Sequence, residues 1–164
     1  NTWCQDSPLG WMVWNEDHCD LELKLFLTRL LKLRQALPQL FNPLIPARET
    51  TKKHPQDQTD LWRQWHGVEL SKPDWAAWSC SIATSLHMGS HGALIWMGFN
   101  AHKEALNFEL PVPASPWTRV IDTSLPSPKD LPEQPAPFRG VTIPMQSRSF
   151  VLLVAQDEVS NLRL

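Results

Sequence analysis

Large apolar side chains recur at offsets of three and four in the N-terminal part of the chain. The series is Leu23, Phe26, Leu27, Leu30, Leu33 and Leu37. At about 100° per residue these positions make one apolar stripe along a helix. Asp17 or Asp20 can cap that helix, and Glu22 in its first turn complements the helix dipole. Pro38 ends it. Further leucines fall outside the stripe, so we expect a helix wedged between two layers. They are Leu21, Leu25 and Leu31.

From Leu61 onward, apolar and polar residues alternate in short runs separated by turn residues, a pattern typical of strands. The predicted strands are Leu61–Trp65, Ser79–Leu86, Ala93–Phe99, Ala105–Leu110, Thr118–Ile121, Gly140–Ile143 and Ser149–Val154. Hairpin turns are predicted at residues 89–92 and 99–102, and the proline-rich segment 126–137 is predicted to loop over a sheet edge. Short strands at this spacing predict a mainly β fold, an antiparallel β-sandwich.

Composition limits the classes of function. The 164 residues carry a formal net charge of −2, which gives no electrostatic basis for binding nucleic acid or an acidic membrane. No signal peptide or membrane-spanning segment is predicted. Three cysteines without disulfide spacing favour a reducing compartment. Nine tryptophans and no tyrosine permit carbohydrate binding, since indole rings stack on sugar faces, but they also fill cores.

No catalytic residue, metal ligand set or cofactor site is predicted from the residues. Carboxylates do cluster before and within the first helical turn, but capping and the helix dipole explain them. These are Glu16, Asp17, Asp20 and Glu22. His18-Cys19 with Cys4 offers soft ligands without the spacing of a zinc site. The histidines lack the sequence signature of a serine or cysteine nucleophile.

Five motifs in collinear order resemble glycogen and starch debranching enzymes of the isoamylase type, within the α-amylase superfamily. They are Asn1-Thr-Trp-Cys-Gln-Asp6, Leu31-Lys-Leu-Arg-Gln-Ala-Leu-Pro38, the pair Trp65-His-Gly67 and Pro73-Asp-Trp75, Phe99-Asn-Ala-His102, and Asp122-Thr-Ser124 with Pro126-Ser-Pro128. The likeness covers nearly the whole chain.

The resemblance implies the end of a (β/α)8 barrel followed by a C-terminal β-sandwich. The expected boundaries are residues 1–42 for the loop and last barrel helix, 43–60 for an irregular connection, 61–156 for the sandwich and 157–164 for a polar tail. The resemblance also implies a parent enzyme that hydrolyses α-1,6 branch linkages. The family's catalytic carboxylates would lie upstream of the segment that matches Asn1, so we expect this chain alone to be inactive.

Glucan contact is expected at the tryptophan motifs. Trp65 and Trp75 carry the flat rings that a sugar face requires, with His66 and Asp74 beside them as hydrogen-bonding groups. Trp3 is placed near the parent's glucan cleft. For His66 the alternative is a structural imidazole that fixes the junction between barrel and sandwich. Most of the remaining tryptophans are expected to fill the core. These are Trp62, Trp78, Trp96 and Trp117.

Three functions stay open at this point. The first is a non-catalytic C-terminal part that caps the barrel of its own chain and helps to shape the cleft for branched α-glucan. The second is an autonomous starch- or glycogen-binding module with exposed aromatic residues. The third is a surface for homodimerisation of the parent enzyme. The resemblance implies a bacterial cytoplasm or a plastid stroma as the location. No nucleic-acid or membrane partner is expected.

Overall fold

The structure is a computed structural model that describes residues 3–11, 20–37, 61–88, 92–155 and 157. Within these residues, one helix, α1 (Leu21–Ala36), precedes eight strands. The strands are β1 (Leu61–His66), β2 (Ser81–Met88), β3 (Ala93–Asn100), β4 (Leu106–Glu109), β5 (Trp117–Asp122), β6 (Ala136–Phe138), β7 (Thr142–Met145) and β8 (Ser149–Ala155). The predicted connection at 43–60, most of the predicted tail at 157–164 and part of the turn at 89–92 lie outside the described residues.

Helix α1 begins as its sequence predicts. Asp20 is the N-cap, and its carboxylate accepts a hydrogen bond of 2.9 Å from the backbone N–H of Leu23. The apolar face, however, is rotated relative to the predicted stripe. Leu23 and Leu27 belong to the predicted stripe but do not pack on the sheet, and they are 54% and 48% exposed. The residues that face the sheet are Phe26, Arg29, Leu30, Leu33 and Leu37.

Six strands form one antiparallel sheet in the order β1-β2-β3-β8-β5-β6. The C-terminal strand β8 therefore lies in the middle of the sheet, between β3 and β5. At one end of the sheet the register places Ile82, Phe99 and Phe150 directly opposite one another on β2, β3 and β8. Residues opposite each other on antiparallel strands project from the same face, so these three side chains form a row.

Strands β4 and β7 pair to form a second, two-stranded sheet. A core between the two sheets holds aromatic and aliphatic side chains, including the fully buried Trp96 and Phe108, whose rings meet edge to face. A second core lies on the other face of the large sheet, where Leu33 and Leu37 of α1 pack on Ile95, Leu152 and Val154. The expected mainly β sandwich with one preceding helix is thus confirmed.

Two local predictions are wrong. Residues 126–137 are not loop throughout, because β6 begins at Ala136 and pairs with β5 at the sheet edge. The segment 99–102 is not a hairpin turn, because β3 pairs with β8 while β4 pairs with β7. It is a crossover from one sheet to the other. A proline within β6 is compatible with an edge strand, where one side of the backbone needs no partner.

Asn100 fixes this crossover. Its side-chain amide is 1% exposed, and Nδ2 donates to the carbonyls of Glu104, Met145 and Gln146 at 3.0, 3.3 and 2.9 Å. Its Oδ1 accepts a 3.0 Å bond from the backbone N–H of His102. One buried amide thereby ties the end of β3 to the segment that follows β7, and brings that segment beside the row formed by Ile82, Phe99 and Phe150.

Candidate functional surface

A surface depression rich in aromatic side chains crosses the large sheet on the face that carries α1. Trp75, Ile82 and Phe99 line one part of it, and Phe99 and Phe150 line the other. Asp74 lies at one end and Arg148 at the other. We call these six residues the aromatic trough. Trp75 is 66% exposed and Phe99 44% exposed, so flat apolar rings are directly accessible.

The floor of the trough is held in place by the sheet. The Phe99 and Phe150 rings pack against each other with centroids 4.7 Å apart. Thr123 accepts a 2.9 Å bond from the Phe150 N–H through Oγ1 and donates its own N–H to the Phe150 carbonyl at 3.0 Å. Arg148 has a positive φ of 51°, and its N–H donates to the His102 carbonyl at 3.2 Å. The surface is therefore preformed, since each side is anchored to backbone.

Trp75 reaches the trough from the loop that connects β1 to β2. Its ring meets that of Trp65 on β1 edge to face, with centroids 5.7 Å apart. Asp74 caps the following turn by accepting a 3.0 Å bond from the Ala76 N–H. At the start of the loop only glycine fits, because a Cβ at Gly67 would overlap the carbonyl oxygen of Lys72.

His66 holds the same loop from below. It is 1% exposed, and its Nδ1 accepts a 2.9 Å bond from the Ser71 N–H. The other ring nitrogen, Nε2, lies 2.7 Å from the Ser85 hydroxyl, which lies 2.6 Å from Nε2 of His87. Since Nδ1 of His66 is an acceptor, neutral His66 donates to Ser85, and Ser85 donates to His87. We call this chain of three side chains the histidine relay.

Burial keeps the two imidazoles of the relay uncharged. Burial, with a smaller contribution from the neighbouring His87, lowers the pKa of His66 from 6.5 to about 4. Burial also lowers the pKa of His87 to about 4, against an opposing hydrogen bond with the backbone of Gly92. Trp62 covers His87, with the rings stacked 4.1 Å apart. Both imidazoles are therefore uncharged at neutral pH and serve as hydrogen-bond links.

A second surface is formed by the outer sides of α1. Arg29 holds the helix on the sheet, donating to the Leu131 carbonyl at 2.9 Å and to the Glu133 carboxylate at 2.8 Å. The helix nevertheless leaves large apolar side chains in solvent along one flank, spaced four residues apart. These are Leu23, Leu27 and Leu31, which we call the leucine ridge. Leu21 and Leu25 on the opposite flank are exposed as well.

The five predicted glucan-contact residues fall into two groups. Trp65, Asp74 and Trp75 lie together at the β1 end of the trough. Trp3 is 81% exposed but is not among the residues that line the trough. His66 has almost no accessible surface, and both ring nitrogens bond within the chain. Neither ring nitrogen is therefore free for a sugar hydroxyl, and the bonds of His66 hold the loop that follows β1.

The sequence did not predict that Phe99, Phe150 and Arg148 line a surface. Their sequence gives little indication of exposure, because Phe99 and Phe150 lie in strands whose other residues are nearly all buried. The prediction of core tryptophans is confirmed for Trp96 and Trp117 and is wrong for Trp78, which is 82% exposed in the loop beside Trp75. Trp62 is half-buried against His87.

Within the described residues, histidine, cysteine and carboxylate side chains form no group of three or more that could hold a metal ion. No described helix has the length and apolarity needed to cross a membrane. Asp74 is the single carboxylate among the residues that line the trough.

In comparison with known proteins, the chain is similar to isoamylases and to a glycogen debranching enzyme. The chain is 25% identical to isoamylase 1, chloroplastic, of Oryza sativa and 25% identical to the isoamylase of Flavobacterium, over 96% and 95% of its length. It is 28% identical to the glycogen debranching enzyme of Pectobacterium atrosepticum over 55% of its length. The chain spans about a fifth of the two isoamylases and 14% of the debranching enzyme.

The model of the family "Isoamylase 1-3, C-terminal" matches residues 64–148, a little over half of the chain. The protein therefore belongs to the isoamylase 1-3 C-terminal domain family.

Proposed function

We propose that this chain is the non-catalytic C-terminal part of a debranching enzyme that hydrolyses α-1,6 branch linkages in glycogen- or amylopectin-like glucan. Its role is to cover and stabilise the catalytic barrel of the same polypeptide, in a bacterial cytoplasm or a plastid stroma. Support comes from its relatives, isoamylases and a glycogen debranching enzyme that are much longer than the matched region.

The observation that carries the proposal is the distribution of apolar side chains on α1. One face is buried on the sheet through Leu30, Leu33 and Leu37. The leucine ridge adds three leucines in solvent, each about half exposed or more. Burying a leucine side chain contributes about 1.5–3 kcal/mol. A helix that is apolar on several sides is expected where another layer packs against it.

The chemistry of the trough is consistent with a non-catalytic part. Retaining glycosidases act through two carboxyl groups about 5 Å apart across the scissile bond. Asp74 is the only carboxylate among the described lining residues, and it already bonds to the Ala76 N–H. In the proposed enzyme, the acid and the nucleophile are therefore assigned to the part of the polypeptide upstream of this chain.

The size of the native polypeptide tests the first part of the proposal. An antiserum raised against the chain should detect, in extracts of the source cells, a polypeptide about five times as long as the 164 residues, as the matched share of the isoamylases indicates. The immunoprecipitate should release linear chains from pullulan or amylopectin. A native product of 18.8 kDa alone would contradict the proposal.

The leucine ridge tests the second part. We expect Leu23→Glu with Leu27→Glu to leave the isolated chain folded, because both side chains are already exposed. In the full-length polypeptide the same pair should lower the melting temperature by several degrees, since two buried leucines become charged. Lys24→Glu with Thr28→Glu, on exposed positions of the same helix, is the matched control. Equal melting temperatures for the two full-length variants would exclude the ridge as the contact.

A further inference from the structure

We propose that the aromatic trough binds a linear α-1,4-linked glucan chain, independently of any catalytic barrel. This inference rests on the proposed function for the class of carbohydrate, but its evidence is the surface itself. Trp75 lines the trough from the loop before β2, and Phe99 and Phe150 line it from the adjacent strands β3 and β8.

The dimensions suit a short stretch of sugar rings. Ile82, Phe99 and Phe150 occupy adjacent strands, and two strand spacings make roughly 10 Å. Trp75 lines the same depression as Ile82 and Phe99, and its ring meets that of Trp65 on β1. Glucose rings have apolar C–H faces, and aromatic side chains cover such faces while leaving the hydroxyl groups at the rim.

The charges at the rim suit an uncharged ligand that is rich in hydroxyl groups. Asp74 lies at one end of the trough and Arg148 at the other, so acceptor and donor groups are both present and their charges cancel. Ser79 and Thr123 add neutral hydroxyls along the same rim. The carboxylate of Asp74 would repel an anionic ligand, and the guanidinium group of Arg148 would repel a cationic ligand.

The trough also differs from the apolar surface that a protein layer would cover. The leucine ridge is aliphatic and lies on a helix. The trough is aromatic, is bordered by polar groups, and is fixed by backbone hydrogen bonds on both sides of Phe150. A preformed surface loses little conformational entropy on binding, which favours recognition of a flexible oligosaccharide.

The test is a titration of the isolated chain with maltoheptaose, followed by calorimetry and by the indole N–H resonance of Trp75 in proton–nitrogen spectra. We expect saturable binding in the millimolar range. Trp75→Ala and Phe99→Ala should each weaken binding at least about fivefold, as loss of one aromatic contact implies. Trp78→Ala removes an indole from the same loop that is more exposed than Trp75 but lies outside the trough, and should change affinity by less than twofold.

Three outcomes would overturn the inference. One is no saturable binding by the wild-type chain; another is equal loss in the Trp75→Ala and Trp78→Ala variants. The third is equal affinity for cellopentaose, whose β-1,4 linkage gives a flat ribbon. None of these results would bear on the size of the native polypeptide or on the leucine ridge, so failure here is distinguishable from failure of the proposed function.

Discussion

The guanidinium group of Arg29 donates a 2.9 Å hydrogen bond to the main-chain carbonyl of Leu131, 102 positions later in the chain. Arg29 is 8% exposed and Leu131 is fully buried. The same guanidinium also reaches the carbonyl of Pro128 at 3.4 Å. The helix is therefore attached to the sandwich by specific polar contacts as well as by its apolar face.

Replacing Arg29 should loosen α1. Arg29→Met keeps much of the aliphatic volume but leaves the Leu131 carbonyl buried without its donor. We expect the free energy of unfolding to fall by about 1–3 kcal/mol, the usual cost of an unsatisfied buried polar group. Urea unfolding followed by circular dichroism measures this change.

Glu133 provides the matched control for that experiment. Its side chain is 68% exposed, so its ion pair with Arg29 is largely screened by water. Glu133→Gln should change stability by less than about 0.5 kcal/mol. If the two variants lost the same stability, the ion pair rather than the buried carbonyl would hold the helix.

The histidine relay predicts that the chain loses stability in mild acid. The unfolded chain takes up protons on His66 and His87 near pH 6.5, whereas in the folded chain both have a pKa of about 4. Stability is therefore full above about pH 6.5 and falls as the pH drops toward 4. Between pH 7 and 5.5 we expect a loss of about 2 kcal/mol from the two groups together.

Variants separate the relay from other titrating groups. His87→Gln should remove about half of the pH dependence between pH 7 and 5.5, a window in which most carboxylates stay ionised. His102→Gln, outside the relay, is the matched control for replacing a histidine with glutamine. Denaturant midpoints at a series of pH values give both results. A flat profile in the wild-type chain would show that the imidazoles are not held neutral.

Gly98 is predicted to be intolerant of any side chain. A Cβ at this position would overlap the ring of Trp96 and lie 2.6 Å from Sδ of Met145, in the core between the two sheets. Gly98→Ala should therefore cost about 1–3 kcal/mol through overpacking. Thermal unfolding followed by tryptophan fluorescence should show a lower midpoint. An unchanged midpoint would mean that the core rearranges to accommodate the added methyl group.

The isolated chain is predicted to hydrolyse neither pullulan nor branched limit dextrin. Its trough contains one carboxylate among the described lining residues, Asp74, where hydrolysis with retention needs two. A reducing-sugar assay after extended incubation checks this expectation. Turnover that survives repurification and is lost in Asp74→Asn would contradict it.

Local patterns in the sequence predicted most of the regular structure. Asp20 caps α1 as expected, because a side-chain acceptor before a helix acts over three residues. Seven of the eight strands follow from apolar alternation with turn residues between them. The strand that was missed, β6, contains Pro137 and pairs along one edge only, so its assignment depended on a neighbour that local pattern does not reveal.

The surfaces were harder to predict because they depend on which faces meet. The helical offsets placed Leu23 and Leu27 in the apolar stripe, but the sheet lies nearer to Arg29, whose guanidinium finds partners only in the folded chain. Trp78 was predicted to fill the core, yet it is 82% exposed, because residue type does not show which face of the fold a side chain occupies. His66 was named as a glucan contact through its neighbours, and only the fold shows it beneath the loop.

The central place of β8 determines when the chain can fold during synthesis. Strand β3 and strand β5 have no shared neighbour until residues 149–155 have left the ribosome. The partners of Arg29 at Pro128, Leu131 and Glu133 also emerge late. At about 5–20 residues per second, the face of α1 that packs on the large sheet is made several seconds before β8 completes that sheet. We therefore expect α1 to dock on the large sheet late, after β8 has been synthesised.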